Sequence, residues 1–459
     1  MFGLKKKPIG FALEERRVRF DGFALGGKKT AGSLIAAKSK NCDCGKGYLV
    51  AGLGVQEYML GGENVPLQGH LPTPDRFFTL LKKTSNGYKE KLGYLSSDGR
   101  ATVYDENTTA WVQVYAFGGR MRSLLAFDGN GNAQNVFIGE KGLFFCSFDG
   151  EVTATAIDKA SRAACFFEGR LFYAQKPCTI CYSAPYAAEN FDEDIHEGGW
   201  LKAPSDKGAI VALVPMGDSV YIFYEYGLAR LKSAGSAREF TFQNIGYNGG
   251  KIFEDSVGVC AVGGEKAFFL ATDGVYEFDG VRVKRVCQEL TVSPKTTGQV
   301  CDYAVFEGTY FLTFTDTNRE RVGLAVDAES GKGYFSFAPV ASSECFGKAF
   351  CHYNQRVCVF AKDGDLLSDE KRIFIASGIG FGGSGAVRLK TLALEGDGAL
   401  FVAVNDGKRT ERFEGEFVNG RMELKSSLQG KSFSVEIGLG AGASVRALTA
   451  EAQAIKGIK

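Results

Sequence analysis

Gly264-Glu265-Lys266-Ala267-Phe268-Phe269-Leu270-Ala271-Thr272-Asp273-Gly274-Val275-Tyr276-Glu277-Phe278-Asp279-Gly280 reads as a turn, a strand, an Asp-Gly turn, a second strand and another Asp-Gly turn. Aromatic and branched residues fill both strands, as suits a pleated, largely buried surface. Asp-Gly between two such runs predicts a two-residue primed turn, because that turn needs positive φ and glycine supplies it without a steric cost. Asp273, Gly274, Asp279 and Gly280 are accordingly turn chemistry and not ligand-loop residues.

Variants of this hairpin recur along the chain. Their turns fall at Asn86, Asp128, Glu168, Gly217, Gly264, Glu307 and Asn354, separated by 42, 40, 49, 47, 43 and 47 residues. A period near 45 with about four short strands per repeat fits a β-propeller blade. The repeats lack the 3.6-residue apolar period of a helical solenoid. One blade cannot bury both its faces, and closing the stack into a ring removes the exposed ends. The expectation is all-β: a propeller of six to eight blades, seven favoured, followed by a small C-terminal β-sandwich. The sandwich is predicted from alternating runs such as Val387–Leu394 and Phe433–Ile437, which mark strands with one wet face.

The expected division is an N-terminal arm with early strands over 1–60, the propeller over 61–377, a glycine-rich linker over 378–385 and the sandwich over 386–459. The early strands near 20–60 either close the ring with the last blade or stand apart. Lys5–Lys7, Glu14–Arg17 and Arg19 give the arm its clumped charge, read as a solvated surface or as a segment pairing with a neighbouring subunit.

Composition agrees with many short strands. Gly accounts for 60 of 459 residues, about twice the usual share, while Pro accounts for only 10. The formal net charge of +1 supplies no whole-chain field for nucleic acid or membranes. The 12 Cys sit mostly inside apolar strand patterns, as small buried hydrophobes in a reducing compartment. Neither an export signal nor a run long and apolar enough for a membrane span is read. Asn107-Thr108-Thr109 has the form of a glycosylation acceptor, which carries meaning only in a secreted protein.

A catalytic constellation does not assemble from these residues. The three His are His70, His196 and His352, and His352 reads as a packed strand residue. The acidic stretch around Asp192, Glu193, Asp194, His196 and Glu197 lacks the alternate oxygen ligands and spaced glycine of a calcium loop. Cys42-Asp43-Cys44 and Cys178-Thr179-Ile180-Cys181 are 134 residues apart, and one knuckle of each kind does not make a zinc site. Gly378–Gly385 leads into a strand pattern and has no Lys-Ser/Thr, so it is not a phosphate loop. Ser96-Ser97-Asp98-Gly99-Arg100-Ala101-Thr102-Val103 is a single poor match to the Asp-box of sialidases. The expected catalytic, cofactor-binding and metal residues are therefore none, and the chain is read as no enzyme, with no cofactor.

From about 163 to 290 the order of features resembles the propeller proteins of tailed-phage virions: tail hub, nozzle and packaged-DNA stabilisation proteins of short-tailed phages and prophages. The features are Phe166–Ala174, then Ile180-Cys181-Tyr182-Ser183-Ala184-Pro185 with Asn190-Phe191, then Ile210–Pro215 with Val220–Tyr224. Ser256-Val257-Gly258-Val259-Cys260 follows, ahead of Glu265–Tyr276. The resemblance implies a structural virion protein, part of a tail hub or nozzle ring that forms or gates the DNA channel. Its implied partners are other copies of itself in a ring, often hexameric, adjacent tail or portal-adaptor proteins, and packaged DNA in transient non-specific contact. It also implies assembly in the bacterial host cytoplasm and residence in the virion. The competing reading is a glycan-binding or glycan-hydrolysing propeller acting at a cell surface. It requires a cluster of Arg, Asp, Glu and Tyr on the propeller's central face.

Overall fold

A computed structural model describes residues 15–455 apart from 26–32, 61–62, 66–72, 156–159, 176–177, 193–196, 234–238, 346, 363, 365, 367–370 and 383–384. The described residues are strands and turns without an α-helix. They fall into two compact units, Leu53–Ser368 and the combination of Met1–Gly52 with Asp369–Lys459.

The larger unit is a seven-bladed β-propeller made of seven four-stranded antiparallel sheets. Blades 1 to 6 are continuous in sequence, at 74–116, 121–155, 160–202, 210–245, 258–286 and 302–336. Blade 7 takes Ala341–Cys345, Lys348–Tyr353 and Arg356–Ala361 from the end of the unit and Gly54–Glu57 from its start. Gly54–Glu57 pairs antiparallel with the third strand of that blade, Val55 opposite Phe360 and Glu57 opposite Cys358. The ring is thus closed by hydrogen bonds between its two ends, which leaves no open sheet edge between the first and last blades.

Within blades 1 to 6 the strands follow one another as a meander, and the first strands pack on the first strands of neighbouring blades around the axis. The apolar residues of each repeat are consumed between blades. Phe223, Phe269, Tyr276 and Phe278 form one cluster between blades 4 and 5, and Phe268, Tyr310 and Leu312 another between blades 5 and 6. Phe77, Tyr94 and Trp111 of blade 1 meet Phe350 and Val357 of blade 7. Burying each of these aromatics contributes roughly 1.5–3 kcal/mol, and this explains their abundance.

The opening hairpin is blade 5, with strands Lys266–Ala271, Gly274–Phe278 and Val283–Val286. Its first tight turn differs from the expected one. Ala271 pairs with Gly274, so Thr272 and Asp273 are the central pair and Gly274 begins the next strand at φ 147°. The Asp273 carboxylate accepts the Gly250 N–H at 2.8 Å and the Tyr276 hydroxyl at 2.6 Å, which fixes the turn one residue earlier. Two-residue turns with positive φ at both central positions do occur at Glu168-Gly169, Glu307-Gly308 and Asn354-Gln355. The last of these joins the second and third strands of blade 7. The seventh turn of the ladder, Asn354, therefore overshoots its counterpart between the first two strands, Ala341–Cys345 and Lys348–Tyr353.

The second unit corrects the expected boundaries. Arg372–Gly380 is not the end of the propeller followed by a linker. It is a strand that pairs with Ser432–Leu439 and with Lys38–Lys40. A bulge between Ala376 and Ile379, with Gly378 at φ 75°, lets Ile379 and Phe381 stay buried in the core. Of the residues read as an arm, Lys5–Lys7 and Glu14 lie outside the described residues. Glu15–Phe20 pairs along its whole length with Ser444–Ala454 of the same chain. The result is a sandwich of a seven-stranded and a five-stranded sheet over one shared core, including Phe23, Phe374, Leu394, Val435 and Leu448. Only the tail of this unit is the alternating stretch recognised in sequence.

Candidate functional site in the propeller bore

Each first strand starts at the same end of the bore, and several start with charge. Asp75 and Arg76 open blade 1, Arg120 and Arg122 blade 2, Ser161 and Arg162 blade 3, Glu254 and Asp255 precede blade 5, and Asp302 and Tyr303 open blade 6. Guanidinium groups thus come from blades 1 to 3 and carboxylates mainly from blades 5 and 6, facing one another.

Asp255 is the hub. It is 6% exposed and takes φ 59°, an uncommon conformation for a non-glycine residue. Arg76 reaches it at 3.2 Å, and an Arg162 Nη1–H donates to its other oxygen. Burial alone would raise the Asp255 carboxyl. Arg76 and Arg162, with Arg120 and Arg122 behind them, outweigh that and hold it below the ordinary carboxylate range. Arg162 also reaches Glu254 at 2.7 Å. Arg120 clasps Asp75 with two N–H donors at 2.7 and 2.9 Å. Arg122 donates to the Tyr303 hydroxyl at 3.2 Å, joining blade 2 to blade 6.

Asp302 lies beside this clasp at 1% exposure. Burial pushes its carboxyl up to about 6, against the pull of Arg321, which donates to one of its oxygens. Its other oxygen has no hydrogen-bond partner among the described residues. Arg321 is completed by the Thr313 hydroxyl at 3.0 Å and the Pro339 carbonyl at 2.7 Å.

Above the clasp the bore widens into a cavity of about 620 Å³. The loops entering the first strands and the turns at Glu140-Lys141 and Glu225 surround it. Lys251 pairs with Glu225 at 2.6 Å on its wall. Chemically, the bore offers cations on one side, carboxylates on the other and one tyrosine hydroxyl. Most of these charges neutralise each other.

The residues singled out in sequence lie elsewhere. His352 is buried in the second strand of blade 7, where burial lowers its pKa to about 4 and its Nδ1 has no partner among the described residues. His70 and the loop residues Glu193, Asp194 and His196 lie outside the described residues. The rest of that loop is tied down by Arg170, which donates to the Glu197 carbonyl at 2.7 Å. Cys42 and Cys44 belong to the sandwich, Cys178 and Cys181 to blade 3, and all four thiols are buried and outside any disulfide. Burial pushes the Cys42 thiol up to about 12. Among the described residues no group of three or more His, Cys, Asp or Glu could hold a metal ion. Ser96 accepts the Arg100 N–H at 3.0 Å and shapes a turn of blade 1. No helix of the described residues is long and apolar enough to cross a membrane.

The bore cluster escaped the sequence reading because its members are scattered from Asp75 to Arg321. The available signal was positional: a charged residue recurs just ahead of the apolar run that opens a repeat, as in Asp75-Arg76-Phe77, Arg120-Met121, Ser161-Arg162-Ala163, Asp255-Ser256-Val257 and Asp302-Tyr303.

No protein-family model and no curated protein matches the chain. Solved structures do resemble it in fold. A streptogramin B lyase structure shares 9% identity, with 67% of this chain and 97% of that chain covered at a TM-score of 0.40. YCF48 bound to D1 peptide shares 10% identity, with 69% and 97% covered at 0.40. The Cps50 (Swd1) β-propeller domain of Myceliophteria thermophila shares 11% identity, with 59% and 92% covered at 0.39. The chain is an all-β protein built on a β-propeller.

Proposed function

We propose that the chain is a structural protein of a tailed-phage virion, one wedge of a tail hub or nozzle ring. The observation that supports an architectural role is the fate of the bore's charges. Arg76 and Arg162 are spent on Asp255, Arg120 on Asp75 and Arg321 on Asp302. Such a network braces blades 1 and 3 against blade 5 and leaves little charge for a reaction. The placing of this architecture in a virion rests on the resemblance across 163–290. In such a ring the DNA passage is the hole enclosed by several copies. The bore of a single propeller is crossed by the Arg76–Asp255 pair. A passage-lining surface is expected to be hydrated and weakly adhesive, because strong phosphate binding would stall transit. The net charge of +1 agrees with that expectation.

The competing reading, a propeller acting on glycans, has one observation in its favour. Arg122, Arg162, Asp255, Glu254 and Tyr303 do gather at the central face. Turnover would need an acid or nucleophile free to act, and Asp255 is held ionised between arginines. Mass photometry of the purified chain, paired with a sialoside-hydrolysis assay, separates the two. A ring of fixed copy number with no hydrolysis is expected. A strict monomer that cleaves sialosides overturns the proposal.

A further inference from the structure

The geometry points to a binding site for a small acidic sugar, a uronate or a sugar phosphate, in the cavity at the mouth of the bore. This deepens the glycan reading as to binding alone and stands or falls separately from the virion proposal. A volume of about 620 Å³ lies within the range of small-molecule sites, roughly 300–1,000 Å³.

The donors left over after the internal ion pairs sit together on the blade 2 side. Arg120 spends Nε and Nη2 on Asp75, and its Nη1 has no hydrogen-bond partner among the described residues. Lys141 is exposed on the neighbouring turn and makes no ion pair or hydrogen bond among the described residues. Both line the cavity, and the Lys141 stem lies over Gly119, the residue before Arg120, where an added Cβ would lie 3.6 Å from Lys141 Cγ. A carboxylate or phosphate in the cavity is offered charge-assisted hydrogen bonds that the folded chain leaves open.

The remainder of the wall suits a polyol. Ser161 lines the cavity at 6% exposure. Its oxygen accepts the Ala163 N–H at 3.2 Å, and its own proton has no acceptor among the described residues. Thr296 adds a second hydroxyl, and Glu254, paired with Arg162, also lines the cavity and can accept from sugar hydroxyls. Ile252 and Phe253 beside them are packed into the blade cores and offer no broad apolar face. Cationic donors with hydroxyls and a carboxylate around them describe a sugar acid better than a nucleobase or a fatty acid.

Titration calorimetry of the full chain at low salt, with D-glucuronate, glucose 6-phosphate and glucose, tests this. One or both acids are expected to bind while glucose gives no heat; which acid binds identifies the anionic group. Lys141→Ala, at an exposed position, is expected to weaken binding by about tenfold, as removing one charge-assisted hydrogen bond to the anion would. Lys408→Ala, in the other unit, is expected to leave it unchanged. Arg120→Gln, checked for folding by its melting curve because it also frees Asp75, is expected to weaken it further. No binding of either acid up to about 10 mM, equal binding of glucose, or an unchanged affinity for Lys141→Ala would overturn the assignment.

Discussion

Gly274 and Gly323 show how differently two glycines can be required. A Cβ on Gly274 would meet the Arg285 Nε at 2.6 Å, the movable part of an exposed side chain, but φ 147° remains strained for any other residue. A Cβ on Gly323 would lie 1.8 Å from the Phe337 carbonyl oxygen, which is backbone and cannot step aside. Gly274→Val is expected to cost roughly 1–3 kcal/mol through strain, and Gly323→Ala to cost at least as much through forced backbone movement, again about 1–3 kcal/mol or more. Urea denaturation of the two variants checks the order. His352 gives a pH-dependent prediction. Its pKa falls from about 6.5 unfolded to about 4 folded because it is buried without a partner for Nδ1 among the described residues. The unfolded chain therefore binds the extra proton first, so the contribution of neutral His352 is present above pH 6.5 and lost as pH falls towards 4. His352→Leu is expected to flatten the loss of stability over that window by on the order of 2–3 kcal/mol. Asp302, raised to about 6, acts in the opposite sense: its contribution is present below about pH 4 and lost as pH rises through 6. It is common to both proteins and cancels in the comparison. Equal pH slopes for the two would contradict the placement of His352.

At the scale of elements, the strand Gly54–Glu57 and the Asp255 clasp do the same work by different means. The strand ties the two ends of the ring through a ladder, with Val55 1% exposed at its centre. Val55→Asp buries a charge with no partner and is expected to lower the stability of the whole propeller by several kcal/mol, seen as a shift of its entire denaturation transition and not as loss of one blade. The clasp joins non-adjacent blades through buried charge. Asp255→Ala leaves Arg76 and Arg162 facing one another and is expected to cost about 3–5 kcal/mol, as removal of one partner from a buried pair does. A double change with Arg162→Met is expected to recover part of that loss. The repeat hairpins were legible in sequence because each blade's turns and aromatics are local, as at Glu168-Gly169 and Phe268-Phe269. Gly54–Glu57 was not, since a four-residue strand has no local signal for a partner about 300 residues away. The Asp273-Gly274 turn was misread by one position because Gly250, whose N–H holds the Asp273 carboxylate, comes from outside the pattern.

At the scale of the whole molecule, the boundaries were the least legible feature. Glu15–Phe20 and Arg372–Gly380 belong to one sandwich although the propeller lies between them in sequence. The chain enters the sandwich, leaves to complete a ring and returns, and at the join only Gly52 and Leu53 separate the strand Leu49–Ala51 from the strand Gly54–Glu57. The candidate site was equally hidden, because it consists of residues drawn two at a time from five repeats. A propeller with closed ends and a bore braced by mutual ion pairs is suited to holding shape under load, as the proposed place in a virion ring requires. Quantitative mass spectrometry of phage particles released from cells that encode this chain tests the proposed role. The chain is expected as a stoichiometric component of purified virions, at the copy number of a symmetric ring. Purified virions that lack it, with the chain recovered as a free monomer from the same cells, would overturn that role.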